Sequence, residues 1–206
     1  MKKVKVKICG IKDVTTALEA EKSGVDYIGL VFCEKSKRCI TIEKAKEIIS
    51  SLSKKTLIVA LFSNDDEKYV SSIINSLDID IVQFHGNELD SYCIKYNLPY
   101  FKGISERNND FSSLDEIYPN SSAFIVDSHD GDGIGGTGKT FNWSKNHFNT
   151  KKPIIIAGGL NCDNVEDAIK VFLPYGVDVS SGVESSFGNK DTNLIREFIK
   201  KVKNAI

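Results

Sequence analysis

"VKVKICGIKDVTTALEAEKSGVDYIGLVF", Val4 to Phe32, holds one complete strand–helix–strand unit. VKVKI (Val4 to Ile8) and DYIGLVF (Asp26 to Phe32) are β-rich runs. Between them Val14, Ala17, Leu18 and Glu21 follow a helical period behind Asp13, a capping residue type, and the period stops at Gly24. DYIGLVF is apolar on both parities, the pattern of a parallel strand covered on both faces.

The unit recurs along the chain. Six more runs read as strands: TLIVALF (Thr56 to Phe62), DIVQF (Asp80 to Phe84), PYFKGI (Pro99 to Ile104), AFIVD (Ala123 to Asp127), PIIIAGG (Pro153 to Gly159) and VDVSSG (Val177 to Gly182). Helical stripes fall between them: Ile42, Ala45, Ile48 and Ile49 behind Thr41; Val70, Ile73, Ile74 and Leu77; Val165, Ala168, Ile169 and Phe172 behind Asn164. A last stripe, Leu194, Ile195, Phe198, Ile199 and Val202, closes the chain. Ser105 to Ser121 is polar and irregular, which predicts a loop or one short helix. Eight strands alternating with helices predict an α/β protein, a (β/α)8 TIM barrel forming a single domain over residues 1–206, with the fifth βα unit irregular. A doubly wound open sheet is the alternative and is less natural with eight evenly spaced strands.

Composition narrows the partners. Twenty-seven basic residues against 28 acidic ones give a formal net charge of −1, so no overall field gathers nucleic acid or an anionic membrane. No apolar run approaches the ~20 residues of a membrane span. MKKVKVK, Met1 to Lys7, leads into Ile8-Cys9-Gly10 rather than an apolar signal core. The five cysteines, at 9, 33, 39, 93 and 162, include no C-x-x-C pair and lack zinc-ligand spacing with the three histidines. These features predict a cytoplasmic protein whose thiols mostly pack as small hydrophobes.

In a barrel the chemistry gathers at the C-terminal strand ends. Those ends carry Cys9, the CEKSKR stretch from Cys33 to Arg38, Gln83 with His85, Asp127, Gly158-Gly159, and Ser180-Ser181-Gly182. The last two groups follow strands seven and eight, where barrels often hold phosphate on backbone N–H groups, and plain tight turns are the competing reading. Cys9 and Asp127 suit a general base and a general acid, although a strand-end cysteine is more often inert packing and an aspartate often a turn cap. Arg38 offers a planar fork for a carboxylate, against its commoner fate as a surface cation. His85 is read first as a hydrogen-bonding rim residue and second as a substrate contact. Strand parity adds an expectation: if Cys9 faces the barrel interior, so do Lys7 and Lys5, and Asp178 is the partner for Lys7, placing positive charge that favours a Cys9 thiolate.

GDGIGGTGKT, Gly131 to Thr140, contains a literal G-x-x-x-x-G-K-T string. A nucleotide-binding loop would need a strand immediately before it and a helix opening at Lys139. Here SHDGD, Ser128 to Asp132, separates Asp127 from Gly133, and its acidic side chains oppose phosphate. The expected role is a glycine-rich loop that closes over substrate, with Lys139 incidental and His129, Asp130 and Asp132 solvated.

One family carries all these stretches in order. KICGI (Lys7 to Ile11), GLVF followed by SKR (Gly29 to Arg38), QFHG (Gln83 to Gly86), VD followed by GGTGKTFNW, IAGGL (Ile156 to Leu160) and VDVSSGVE (Val177 to Glu184) make the chain resemble the phosphoribosylanthranilate isomerase family of tryptophan biosynthesis. The resemblance implies a metal-free and cofactor-free Amadori rearrangement of N-(5-phospho-D-ribosyl)anthranilate to 1-(2-carboxyphenylamino)-1-deoxy-D-ribulose 5-phosphate, by a monomer or homodimer. It implies Cys9 as base, Asp127 as acid and Arg38 on the anthranilate carboxylate. Gln83 and His85 would lie at the substrate, and Gly135, Gly136, Thr137 and Gly138 would form the closing loop. Phosphate would fall to Gly158, Gly159, Ser180, Ser181 and Gly182. Two departures stand out: Lys37, where the family usually has proline, and the Ser128 to Asp132 insert. A P-loop phosphotransferase, a non-catalytic member of this family and another phosphosugar barrel enzyme are the rival functions; none of them needs Cys9, Asp127 and Arg38 together.

Overall fold

Eight parallel strands hydrogen-bond in chain order and the last pairs with the first, so the sheet has no edge. They are β1 (Lys5–Cys9), β2 (Tyr27–Val31), β3 (Leu57–Phe62), β4 (Ile81–Phe84), β5 (Tyr100–Ser105), β6 (Ala123–Asp127), β7 (Ile154–Ile156) and β8 (Gly176–Val179). The computed structural model describes residues 3–105, 113–127 and 150–205. Around the barrel lie α1 (Val14–Ser23), α2 (Ile42–Ser51), α3 (Glu67–Ile74), α4 (Asp90–Cys93), α5 (Leu114–Ile117), α6 (Val165–Phe172) and α7 (Thr192–Asn204).

The expected local signals act where they were read. Asp13 accepts from the Thr16 N–H at 2.8 Å and starts α1, and Gly24 ends it at φ 90°. Thr41 caps α2 through the Lys44 N–H. Asn164 differs: it precedes α6 but its side chain bonds the Asn161 N–H and the Gly159 carbonyl, so it ties the preceding loop rather than the helix. Strand seven is shorter than its apolar run, since the chain turns at Gly158 and Gly159, both at positive φ. Strand eight gives way to a 3₁₀ turn at Ser181–Val183. In the irregular fifth unit the described part holds the short helix α5. Unforeseen is a small antiparallel hairpin after the barrel, β9 (Glu184–Ser186) and β10 (Asn189–Lys190), turning at Gly188 with φ 81°.

Strand parity sorts the barrel into an outer and an inner core. Val6, Ile8, Ile28, Leu30, Ala60, Phe62, Val82 and Phe84 belong to the large cluster beneath the helices. Tyr27, Val59, Ile81, Phe101, Ala123, Ile125, Ile155 and Ala157 form a separate cluster inside the barrel. On the same inward parity the next layer is polar: Lys7, Gln83 and Asp178 are all buried. Register sets Lys7 opposite Asp178 where β1 meets β8, and Lys7 Nζ donates to Asp178 Oδ2 at 2.9 Å with the lysine side chain fully buried. Lys5, also expected inward, lies nearer the N-terminal rim, partly exposed, and pairs with Asp26 at 2.8 Å.

A buried ion pair costs heavily when only one partner is removed, because the other charge stays stranded in a poor solvent. Lys7→Met should therefore lower unfolding stability by about 3–5 kcal/mol, while Lys7→Met with Asp178→Leu recovers most of it. Urea midpoints at constant m-value provide the check, and a single variant as stable as the parent would contradict the pair's role.

Candidate active site

The C-terminal strand ends open onto a cavity whose wall includes Cys9, Arg38, Gln83, His85, Asp127, Gly158, Gly159, Ser180 and Ser181. Cys33, Ser36, Leu61 and Asp178 also line it. Nine of the residues expected at the site thus share one space. Gly135, Gly136, Thr137 and Gly138 lie outside the described residues, as do Lys139 and the Ser128 to Asp132 insert.

Cys9 ends β1, and Asp127 ends β6, three strands away around the barrel. Two glycines make room for the polar layer beneath them. A Cβ on Gly29 would sit 3.0 Å from Cys9 Sγ and 3.1 Å from Lys7 Nζ, and one on Gly103 would sit 2.6 Å from His85 Nδ1. Neither glycine has a positive φ that would demand it, so space is the reason they are glycine. Gly10 combines both reasons, with φ 79° and a Cβ position 2.6 Å from Arg38 Cδ.

The thiolate expectation for Cys9 needs correcting. Burial pushes the thiol upward, Lys7 and Lys190 pull it down, Asp178 pushes it up, and the net direction is upward. Lys7 is a cation, since Asp178 and Cys9 outweigh the burial that works to lower its pKa. Its partner Asp178 largely cancels that charge at the sulfur, so the pair cannot overcome desolvation. His85 is also held below its ordinary range by burial, against the opposing pull of Asp127. Gln83 Nε2 lies 3.1 Å from His85 Nδ1; with the amide donating, the ring proton sits on Nε2, which faces Asp127 Oδ2 at 3.8 Å. Behind this loop, buried Lys102 donates to the Gly86 and Phe84 carbonyls and pairs with Glu88, which fixes the turn that carries His85.

Arg38 is more committed than the sequence suggested. Its Nε and Nη2 donate to the two carboxylate oxygens of Glu184 at 2.7 and 3.0 Å, and its guanidinium lies 4.9 Å from the Phe187 ring centre. Burial raises the Glu184 carboxyl, but hydrogen bonds from Arg38, Lys190 and the Gly188 N–H outweigh it and hold it at about 2. Lys37, in the proline position of the family signature, lies 4.9 Å from the same Phe187 ring.

At the phosphate-type loops the serines differ. Ser180 Oγ donates to the Cys9 carbonyl at 3.1 Å and accepts from Lys190, so its hydroxyl proton is not available to an anion. Gly182 is absent from the cavity wall; a Cβ there would fall 1.8 Å from the Leu160 carbonyl oxygen, so this glycine lets the β8 loop press against the β7 loop. Gly158, Gly159 and Ser181 remain on the wall. Sequence reasoning passed over Glu184, Phe187 and Lys190. Glu184 ends a motif that was recognised, but a hairpin of two- and three-residue strands gives no periodic signal. Among the described residues no group of three or more His, Cys, Asp or Glu side chains is arranged to hold a metal ion, and no helix is long and apolar enough to cross a membrane.

Because its folded pKa is raised, Cys9 should carry its proton at neutral pH. The ultraviolet thiolate absorbance assigned to it, by difference against Cys9→Ala, should titrate with a midpoint above the ~8.5 of a free thiol. A midpoint below that value would restore the preformed thiolate.

Comparison with known proteins follows the same geometry. A family model described as N-(5'phosphoribosyl)anthranilate (PRA) isomerase matches residues 6–201. The N-(5'-phosphoribosyl)anthranilate isomerase of Azotobacter vinelandii is 42% identical over 206 residues, covering all of both chains. Monomers made from the dimeric isomerase of Thermotoga maritima superpose with a TM-score of 0.83 at 34% identity, covering 98% of this chain and 99% of that one. A phosphoribosyl anthranilate isomerase in complex with reduced 1-(o-carboxyphenylamino)-1-deoxyribulose 5-phosphate gives a TM-score of 0.78 at 31% identity, with the same coverage.

Proposed function

Because this chain belongs to the N-(5'-phosphoribosyl)anthranilate isomerase family, we propose that its cavity carries out that isomerisation with Cys9 as general base and Asp127 as general acid. The observation that carries the assignment is that both residues, at the ends of β1 and β6, border the cavity that Arg38 also lines. The reaction is an isomerase reaction of tryptophan biosynthesis on a small phosphorylated substrate. A related enzyme binds the reduced product of that reaction.

The steps need only proton transfers, and no external electron acceptor. Asp127 gives a proton to the furanose ring oxygen, the C1'–O bond breaks, and the nitrogen lone pair forms a C1'=N iminium. Cys9, reacting through its thiolate, then removes the C2' proton to become the thiol, and the electrons of that C–H bond flow toward the iminium to give an enolamine. Loss of the C2' hydroxyl proton and gain of one at C1' yield the ketone. C2' is oxidised as C1' is reduced, and the protein regains its starting protonation. Arg38 would hold the aryl carboxylate. Backbone N–H groups at Gly158, Gly159 and Ser181 would take the phosphate, with positive φ at both glycines bringing the chain close to the anion. His85, with its proton on Nε2 facing Asp127, would orient the acid.

Substrate made in situ from anthranilate should lose its anthranilate-type fluorescence when the protein is added. Cys9→Ala and Asp127→Asn should each cut kcat by about 10²–10⁴ with circular dichroism unchanged, the contribution expected of a positioned acid or base. Near-normal turnover in either folded variant would remove that residue from the mechanism.

A further inference from the structure

Arg38 poses a charge problem. A guanidinium bound at 2.7 and 3.0 Å to both oxygens of a buried carboxylate forms a nearly neutral unit, a weak attractor for a second carboxylate. Both side chains of the pair are buried, Arg38 at 7% exposure and Glu184 at 4%, so solvent does little to separate the two charges. An anion-binding fork built this way needs another cation.

The hairpin supplies one. Lys190, on β10, has a side chain only 1% exposed, and its Nζ lies 2.8 Å from Glu184 Oε1, 2.9 Å from the Ser180 carbonyl and 3.1 Å from Ser180 Oγ. A carboxylate and a carbonyl oxygen only accept, so the nitrogen must donate to both, as an ammonium does. Burial lowers the Lys190 pKa and outweighs the opposing pull of Glu184, so the net direction is downward. Glu184 is thus shared by two cations, and the cluster of Arg38, Glu184 and Lys190 carries a net charge of +1 rather than zero. The position of Lys190 also anchors the hairpin, and with it the Phe187 ring beneath Arg38, to the end of β8.

We propose that Lys190 is a specificity-determining positioning residue: by offsetting Glu184 it leaves the Arg38 fork electropositive, and so sets the preference of this site for a substrate with an aryl carboxylate. This rests on the isomerase reading, in which Arg38 receives that carboxylate. Lys190 itself touches no substrate in the scheme; it acts through Glu184 on the charge that Arg38 presents.

Two stable ligands separate this role from a general structural one. One is reduced 1-(o-carboxyphenylamino)-1-deoxyribulose 5-phosphate; the other is its counterpart prepared from aniline, identical except for the missing carboxylate. Binding is read by fluorescence titration on the intact protein, without turnover. Lys190→Met should weaken the carboxylated ligand about tenfold or more, as expected for loss of one nearby buried charge, and leave the other within about twofold. Lys190→Gln, which keeps hydrogen bonding without charge, should behave like Lys190→Met and serves if that variant does not fold. Lys190→Arg should keep most of the preference. An affinity ratio unchanged from the parent in a folded neutral variant overturns the proposal, as does an equal loss for both ligands. If the parent protein does not bind the carboxylated ligand at all, the isomerase reading falls and takes this inference with it.

Discussion

The ion pair between Lys7 and Asp178 lies where the first and last strands of the barrel meet. A shift of one residue between β1 and β8 would turn Lys7 out among the helices and bring Ile8 inward, stranding a charge in the largest apolar cluster. The attraction across that seam therefore does more than add stability; it makes one register of closure far better than its neighbours. The same choice brings Cys9 to the rim two residues later and leaves Asp178 facing the cavity. It also explains the glycines on the adjacent walls. A buried lysine head needs volume, and Gly29 concedes it.

The fold was legible because its information is local and repeated. The first three βα units each carry their own cap, stripe and apolar run, so errors at one boundary do not spread. Asp13, Thr41 and Gly24 acted as expected, and β6 ran from Ala123 to Asp127 as its apolar pattern suggested. The Lys7 to Asp178 pairing was also legible, because inward parity and closure of the barrel are both rules of geometry. What the sequence hid depends on contacts between distant short segments. Nothing in the composition of Glu184 to Lys190 shows that this stretch folds back beneath Arg38. Nor does parity reveal whether burial or a neighbouring cation decides the state of a thiol, since that requires the full set of surrounding charges. For Cys9, weighing the Lys7–Asp178 pair without the burial of the sulfur, which is the largest influence, gave the wrong direction.

The same accounting separates the two charged clusters of the site. Beneath Cys9 one cation meets one anion, and the remainder is close to zero, so desolvation governs and the sulfur keeps its proton. Around Arg38 two cations share one anion, and the remainder is positive. A base that rests protonated and a binding fork that rests charged impose an order on the proposed chemistry. Binding precedes ionisation, and the arriving carboxylate consumes the positive remainder without helping the thiol.

The driving force for removing the C2' proton must then come from the substrate. In the proposed scheme, protonation of the ring oxygen by Asp127 opens the ring to an iminium, whose adjacent C–H is far more acidic than that of the closed sugar, because the departing electrons have a positive nitrogen to receive them. A thiolate present only as a small fraction suffices against so activated a bond, with Lys7 hydrogen-bonded beside the sulfur to limit the cost of forming it. The acid step is thus the one on which the base step depends. That places the greater demand for accurate positioning on the β6 end, where Asp127 faces His85, and explains why buried Gln83 and Lys102 are both spent on holding that histidine and its turn in place.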